Sequence, residues 1–239
     1  MPRITEEGKL RQGRGTGTGA NYKPWIKIRE VNSIGTASSV MDYKTGRPIE
    51  LLSQGEVYCY YILRWDDTVE DIREQFPLEL DRTLEIADKL GYRHPKDRRT
   101  RMTTDLLVTR TNGTLEAYSI KTDRSVLENE RMREKLFLEK LYWESQGIPF
   151  HICMKEDVNL IYVQNIMDVV SCYDPSRVQD AHGMIRYLIA HKKISVDMVS
   201  SLLNYDTLIA QYKELIPPSL LGSLLCPSVP KKGDRNGKT

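Results

Sequence analysis

The sequence predicts an α/β fold: a mixed β-sheet with helices on both faces, followed by a smaller all-helical module. Three observations carry that prediction. Thr104-Asp105-Leu106-Leu107-Val108 and Tyr118-Ser119-Ile120-Lys121 read as two short strands joined by a turn at Asn112-Gly113. Helical patterns flank this hairpin, at Val57–Leu63 and at Leu127–Gln146. Beyond Asp174-Pro175 the pattern is entirely helical.

The bulk properties are those of an ordinary globular chain. It has 239 residues, 40% hydrophobic and 28% charged, with a net charge of +2. That balance excludes a global polycation, so any nucleic-acid surface must come from local clustering. The four cysteines form no C-x-x-C pair, which predicts a reducing, cytoplasmic setting. No apolar run approaches the ~18 residues of a membrane span, and no signal-peptide core is visible at the N-terminus. We therefore expect no membrane partner. His151 and Cys153 share one strand face, but two further zinc ligands are not in view, so a half-buried strand face is the preferred reading.

In chain order, residues 1–20 form a basic, glycine-rich stretch containing Lys9, Arg11 and Arg14. No strand precedes it, which excludes a dinucleotide-type loop. It reads as a flexible arm, either following a phosphate backbone or without a partner. Tyr22–Ile28 alternates apolar residues with Lys23 and Lys27, as an edge strand or extended arm does. Asp42–Arg47 is a turn. Leu51–Leu63 gives a buried helix with Ser53 as N-cap. Trp65–Pro77 runs from a turn into a strand, and Asp81–Leu90 is an amphipathic helix closed by Gly91. A basic loop, Arg93–Arg101, supplies Arg98, Arg99 and Arg101 just before the hairpin. The helix Leu127–Gln146 stops at Gly147, and Ile148–Met154 is a further strand. We expect a core domain over 21–172 and a helical domain over 173–228. The latter has helices at Ser176–Lys192, from Ser195 to Leu203, and at Tyr205–Ile216, in the manner of a helix-turn-helix or winged-helix module. Residues 229–239 read as a disordered tail.

The hairpin carries the chemistry. An acid near the start of one strand and a lysine near the end of the next form the skeleton of a metal-dependent nuclease site, in which a carboxylate holds Mg²⁺ and an ammonium steers water or phosphate. Glu56 has two compatible readings. It completes a Ser53-x-x-Glu56 capping box by bonding back to the Ser53 amide, or it aims a carboxylate at the metal. Register tests the pair Asp105 and Lys121. A two-residue loop at Asn112-Gly113 would set Asp105 against Ile120 and turn Lys121 to the other face. A working site needs a bulge or a three-residue loop with Gly113 left-handed, with Asp105 expected opposite Lys121 and Ser119 on the same face.

These residues also carry a family resemblance. From about Gly13 to Cys172 the chain resembles TnsA, the endonuclease subunit of heteromeric cut-and-paste transposases. The matching strings include Gly13-Arg14-Gly15, Tyr22-x-Pro24-Trp25, Lys44-Thr45-Gly46-Arg47, Leu52-Ser53-x-x-Glu56, Asp71-Ile72-Arg73-Glu74-Gln75-Phe76-Pro77, His94-Pro95, Thr104-Asp105 and Ile120-x-x-Asp123. The resemblance implies a restriction-endonuclease-like, PD-(D/E)XK core with a helical C-terminal domain. It implies catalytic Glu56, Asp105 and Lys121. Mg²⁺, or Mn²⁺, would be held by Glu56, Asp105, the Ile120 carbonyl and Ser119. Ser119 stands where the family has glutamine or glutamate, a shorter and weaker ligand. Glu139 is either a supporting acid or a solvated one among Lys135 and Lys140. The implied activity is cleavage of the 5′ ends of a transposon. The implied partners are double-stranded DNA at the transposon ends, a TnsB-like transposase and a TnsC-like ATPase regulator. Lys9, Arg11, Arg14, Lys23, Lys27, Arg98, Arg99 and Arg101 are the candidate DNA contacts. Two other readings remain: a weak or inactive scaffold, favoured by Ser119, and a helix-turn-helix regulator with an α/β sensor domain, which has no need for Asp105 and Lys121 to converge with Glu56.

Overall fold

Short β-rich segments with tight turns build the first half of the molecule, and a computed structural model describes residues 4–31, 37–95 and 98–221. The expected tail at 229–239 lies outside these residues. The chain divides into two compact units at Val163/Gln164, earlier than the Asp174-Pro175 boundary read from sequence.

The first unit opens with α1 (Glu6–Arg11), capped by the Thr5 hydroxyl. The following glycines are turn positions. Gly15 has φ +76, and a Cβ there would meet the Pro77 ring at 2.3 Å. Tyr22–Trp25 is extended and packs along the sheet: Tyr22 Oη donates to the Glu74 carbonyl and the Trp25 amide to that of Gln75. β1 (Ser38–Met41) and β2 (Pro48–Leu51) form a separate antiparallel hairpin around the Asp42–Arg47 turn. Neither strand was expected. They are four residues each, too short for alternation to register. α2 (Gln54–Trp65) begins at the Ser53 cap, as read.

The main sheet has the order β3-β4-β5-β6, from β3 (Val69–Pro77), β4 (Thr103–Arg110), β5 (Leu115–Lys121) and β6 (Phe150–Met154). The first three are antiparallel and β6 runs parallel to β5, so the sheet is mixed as predicted. α3 (Leu80–Leu90) ends on left-handed Gly91, and α4 (Glu130–Glu144) provides the crossover that a parallel pair requires. One face packs Leu106, Val108, Tyr118 and Ile120 with Val57, Cys59 and Tyr60 of α2. The other packs Leu107 and Ala117 with Ala87 of α3 and Leu138, Tyr142 and Trp143 of α4. Helices therefore cover both faces.

α5 (Leu160–Val170) leads into the second unit, which adds α6 (Ala181–Ala190), α7 (Tyr205–Gln211) and α8 (Pro218–Leu221). The helix expected from Ser195 to Leu203 is absent. Asp197 instead accepts from the Val199 and Ser200 amides, and Asn165 binds the Met198 and Ser201 carbonyls and the Leu203 amide. Side chains thus satisfy the backbone that a helix would have used. Among its described residues this unit has no strand that could form a wing.

Candidate active site

The turn between β4 and β5 sets the site. The Gly113 amide donates to the Arg110 carbonyl, the Arg110 amide donates to the Thr114 carbonyl, and Gly113 has φ +82. This is a three-residue loop with a left-handed glycine, as the register argument required. The shift runs in the opposite direction from that expected. Leu106 pairs Tyr118 and Leu107 pairs Ala117, so the next step sets Asp105 against Ser119, not Lys121. The face argument survives, because Ser119 and Lys121 are two residues apart and share a side.

Asp105 does not continue the ladder. Its Oδ2 accepts the Ile120 amide at 2.6 Å and lies 3.4 Å from Lys121 Nζ. The Lys121 ammonium also donates to Ser119 Oγ at 2.7 Å and to the Ile120 carbonyl at 2.9 Å. Asp105, Ser119, the Ile120 carbonyl and Lys121 are therefore brought together.

Glu56 approaches from the first turn of α2 and is 6% exposed. Ser53 caps the helix by accepting the Glu56 amide. The carboxylate itself bonds back to the Leu52 amide at 2.9 Å and takes the Ser53 hydroxyl at 3.0 Å, in place of the expected bond to the Ser53 amide. Gln75 Nε2 donates to the same Oε2 at 3.1 Å. Burial, and then the Asp105 charge, pushes the Glu56 carboxyl up to about 8. A buried acid that feels the charge of Asp105 in this way shares one electrostatic site with it.

Glu139 corrects the solvated reading. It is 1% exposed, accepts from Thr104 Oγ1 at 2.8 Å, and lies 3.4 Å from Ser119 Oγ. Trp143 Nε1 holds the Thr104 hydroxyl in turn at 2.7 Å. Burial, then Asp105, pushes the Glu139 carboxyl up to about 7. The sequence signal was available: Glu139 precedes Tyr142 and Trp143 by three and four residues, on an apolar stripe. Gln75 was missed altogether, and its backbone conformation has no counterpart in the residue pattern.

The oxygen set suits a hard cation. Asp105, Ser119 Oγ and the Ile120 carbonyl already surround one positive charge, the Lys121 ammonium. Among the described residues no three His, Cys, Asp or Glu side chains form a ready-made metal cage. Such a set fits Mg²⁺, which keeps several waters and borrows phosphate oxygens. His151 stacks on Tyr118 with ring centroids 4.8 Å apart, in keeping with the strand-face reading.

The candidate DNA contacts separate. Arg14 is 3% exposed and forms a bidentate pair with Glu30 at 2.6 Å, which removes it from the surface. Arg11, Lys23, Arg98 and Arg99 are exposed. Lys9 and Arg101 lie over the Trp25 ring, and Lys27 is half-buried.

Residues 66–155, which hold the mixed sheet and its acid–lysine hairpin, match the family described as "TnsA-like endonuclease N terminal". The transposition protein TnsA of transposon Tn7, from Escherichia coli, is 38% identical over 161 residues. That match covers 66% of this chain and 59% of the relative. The chain is thus similar to TnsA-family proteins over its sheet-bearing part, and spans about three fifths of the length of that relative. No helix among the described residues is long and apolar enough to cross a membrane.

Proposed function

We propose that this chain is the endonuclease subunit of a cut-and-paste transposase, a Mg²⁺-dependent nuclease that cleaves the 5′ ends of the element. The observation that supports it is the convergence of Asp105, Ser119, the Ile120 carbonyl and Lys121 at one strand mouth, with Glu56 electrostatically linked to Asp105. Asp105, the Ile120 carbonyl and Glu56 would hold the metal, with Ser119 as a weak neutral donor. Bound Mg²⁺, or Mn²⁺, supplies charge neutralisation at the scissile phosphate and an activated water. Lys121 leaves its oxygen partners and donates to the attacking water or to a phosphate oxygen, where its charge opposes the charge that develops in the transition state. Hydrolysis yields a 3′-OH and a 5′-phosphate. Arg11, Lys23, Arg99 and Arg101 contact the duplex backbone, which positions the chain without reading sequence. A TnsB-like transposase acts on the 3′ ends, and a TnsC-like ATPase regulates both.

Ser119 favours a second reading, a catalytically weak scaffold that docks DNA and partners. One experiment decides between them. Excision of a donor element is assayed with the partner transposase, comparing wild type with Asp105→Ala. Loss of 5′-end cleavage with persisting 3′ joining is expected. Equal cleavage by the two proteins would mean that the site is inert and would leave the scaffold.

A further inference from the structure

Gln75 is a residue in the wrong conformation for its place. It lies inside β3 with φ +48 and is 2% exposed. Among the described residues Lys192 also has positive φ without being glycine, but it follows the end of α6, where such a backbone is ordinary. Inside a strand no such excuse exists.

The register shows what the conformation does. Glu74 pairs Leu106 and Phe76 pairs Thr104, so Gln75 lies across from Asp105. Leu106 faces α2, whereas Phe76 packs with the α4 side and Thr104 bonds Glu139 of α4. Alternation inverts at Gln75 and Asp105 together. The side chain is then committed at both ends. Nε2 donates to Glu56 Oε2 at 3.1 Å, and Oε1 accepts from Thr103 Oγ1 at 3.4 Å.

We infer that Gln75 is a positioning residue for Glu56, held in a left-handed backbone so that its amide fixes the carboxylate beside Asp105. The inference rests on the nuclease reading above. The Leu52 amide and the Gln75 amide both hold Oε2. Among the described residues Oε1 is held only by the Ser53 hydroxyl, which leaves it the freer oxygen for a cation. The chemistry favours an amide here. It is a neutral donor, so it orients a carboxylate without cancelling its charge. A lysine or arginine would form an ion pair and compete with the divalent ion.

The test uses the full chain with Gln75→Gly, Gln75→Asn and Asp105→Ala. Three quantities are read: thermal midpoint, Mg²⁺ affinity by calorimetry, and 5′-end cleavage with the partner transposase. Glycine relieves the backbone and removes the amide. We expect Gln75→Gly to melt no lower than wild type, yet to lose about 10–100-fold in Mg²⁺ affinity and in cleavage, the usual effect of removing a group that orients a metal ligand. A merely structural glutamine would not give that combination. Gln75→Asn tolerates the same backbone but stops one methylene short, and is expected to show the same losses. If both variants bind Mg²⁺ and cleave within about twofold of wild type while Asp105→Ala is dead, the inference is overturned and the nuclease reading stands. If Asp105→Ala itself cleaves and binds normally, the nuclease reading falls first and takes this inference with it.

Discussion

The Ile120 amide donates to Asp105 Oδ2 at 2.6 Å, so the acid closes the sheet where the β4–β5 ladder would otherwise have run on. Asp105 therefore has a structural duty and a proposed catalytic one, and the two are separable. Asp105→Asn keeps an oxygen for the Ile120 amide and loses the charge. It should melt with wild type and lose about 10²-fold or more in cleavage, the scale of one electrostatic group in a water-poor site. Asp105→Ala should in addition lose about 1–3 kcal/mol, because the buried amide is left without an acceptor. Parallel thermal melts and end-cleavage assays check both.

Glu56 and Glu139 make the pH dependence run opposite to that of an ordinary salt-bridged acid. Their folded values, about 8 and about 7, lie above the ordinary 4.5. Between those limits the folded state holds protons that the unfolded state has released, so unfolding stability falls as pH rises. The melting temperature of the metal-free chain should therefore fall from about pH 5 to about pH 8. Mg²⁺ should raise it most at the alkaline end, where both acids are charged. Glu56→Gln and Glu139→Gln should each flatten the slope. A metal-free melting curve that rises over this range would overturn the assignment.

Lys121 offers a different separation. Its ammonium holds the oxygens proposed for the metal. Lys121→Met removes a competing cation and a transition-state donor together. Mg²⁺ affinity measured by calorimetry should be equal to or tighter than that of wild type, while cleavage falls by about 10²-fold or more. Loss of Mg²⁺ binding in this variant would contradict the arrangement.

Arg47 is a structural residue within a string that reads as a surface turn. It is 6% exposed and bonds Glu74, itself 0% exposed, through two 2.8 Å contacts. It also donates to the Gly19, Pro48 and Ile72 carbonyls. Arg47→Met should cost about 3–5 kcal/mol by stranding a buried carboxylate. Arg47→Met combined with Glu74→Met should recover much of that loss, as denaturant titration would show.

Residues with local signals were legible in the sequence. Ser53 and Gly147 marked helix ends, Asn112-Gly113 marked the hairpin, and the apolar run Leu106–Val108 marked a strand. Asp105 and Lys121 stood out as candidates from the hairpin, and Glu56 from its capping box and the family strings. What was not legible depends on packing between distant segments. β1 and β2 are too short to show a period. The stretch 195–203 has helical spacing but is claimed by Asn165 from α5. Glu139 carries lysine neighbours in sequence, and only the docking of α4 on the sheet reveals that it faces inward. Gln75 is left-handed because two strands and the Tyr22–Trp25 segment fix it together, and no single string encodes that.

The turn at Thr111-Asn112-Gly113 is exposed and touches nothing catalytic. Surface turns of this kind ordinarily accept insertions and deletions freely. Here a one-residue shift of the pairing would invert which side of β5 faces the acid, and Asp105 would meet Ile120 or Tyr118 in place of Ser119. The turn acts as a ruler: across descendants of this chain its letters can drift, but its length is inherited with the site.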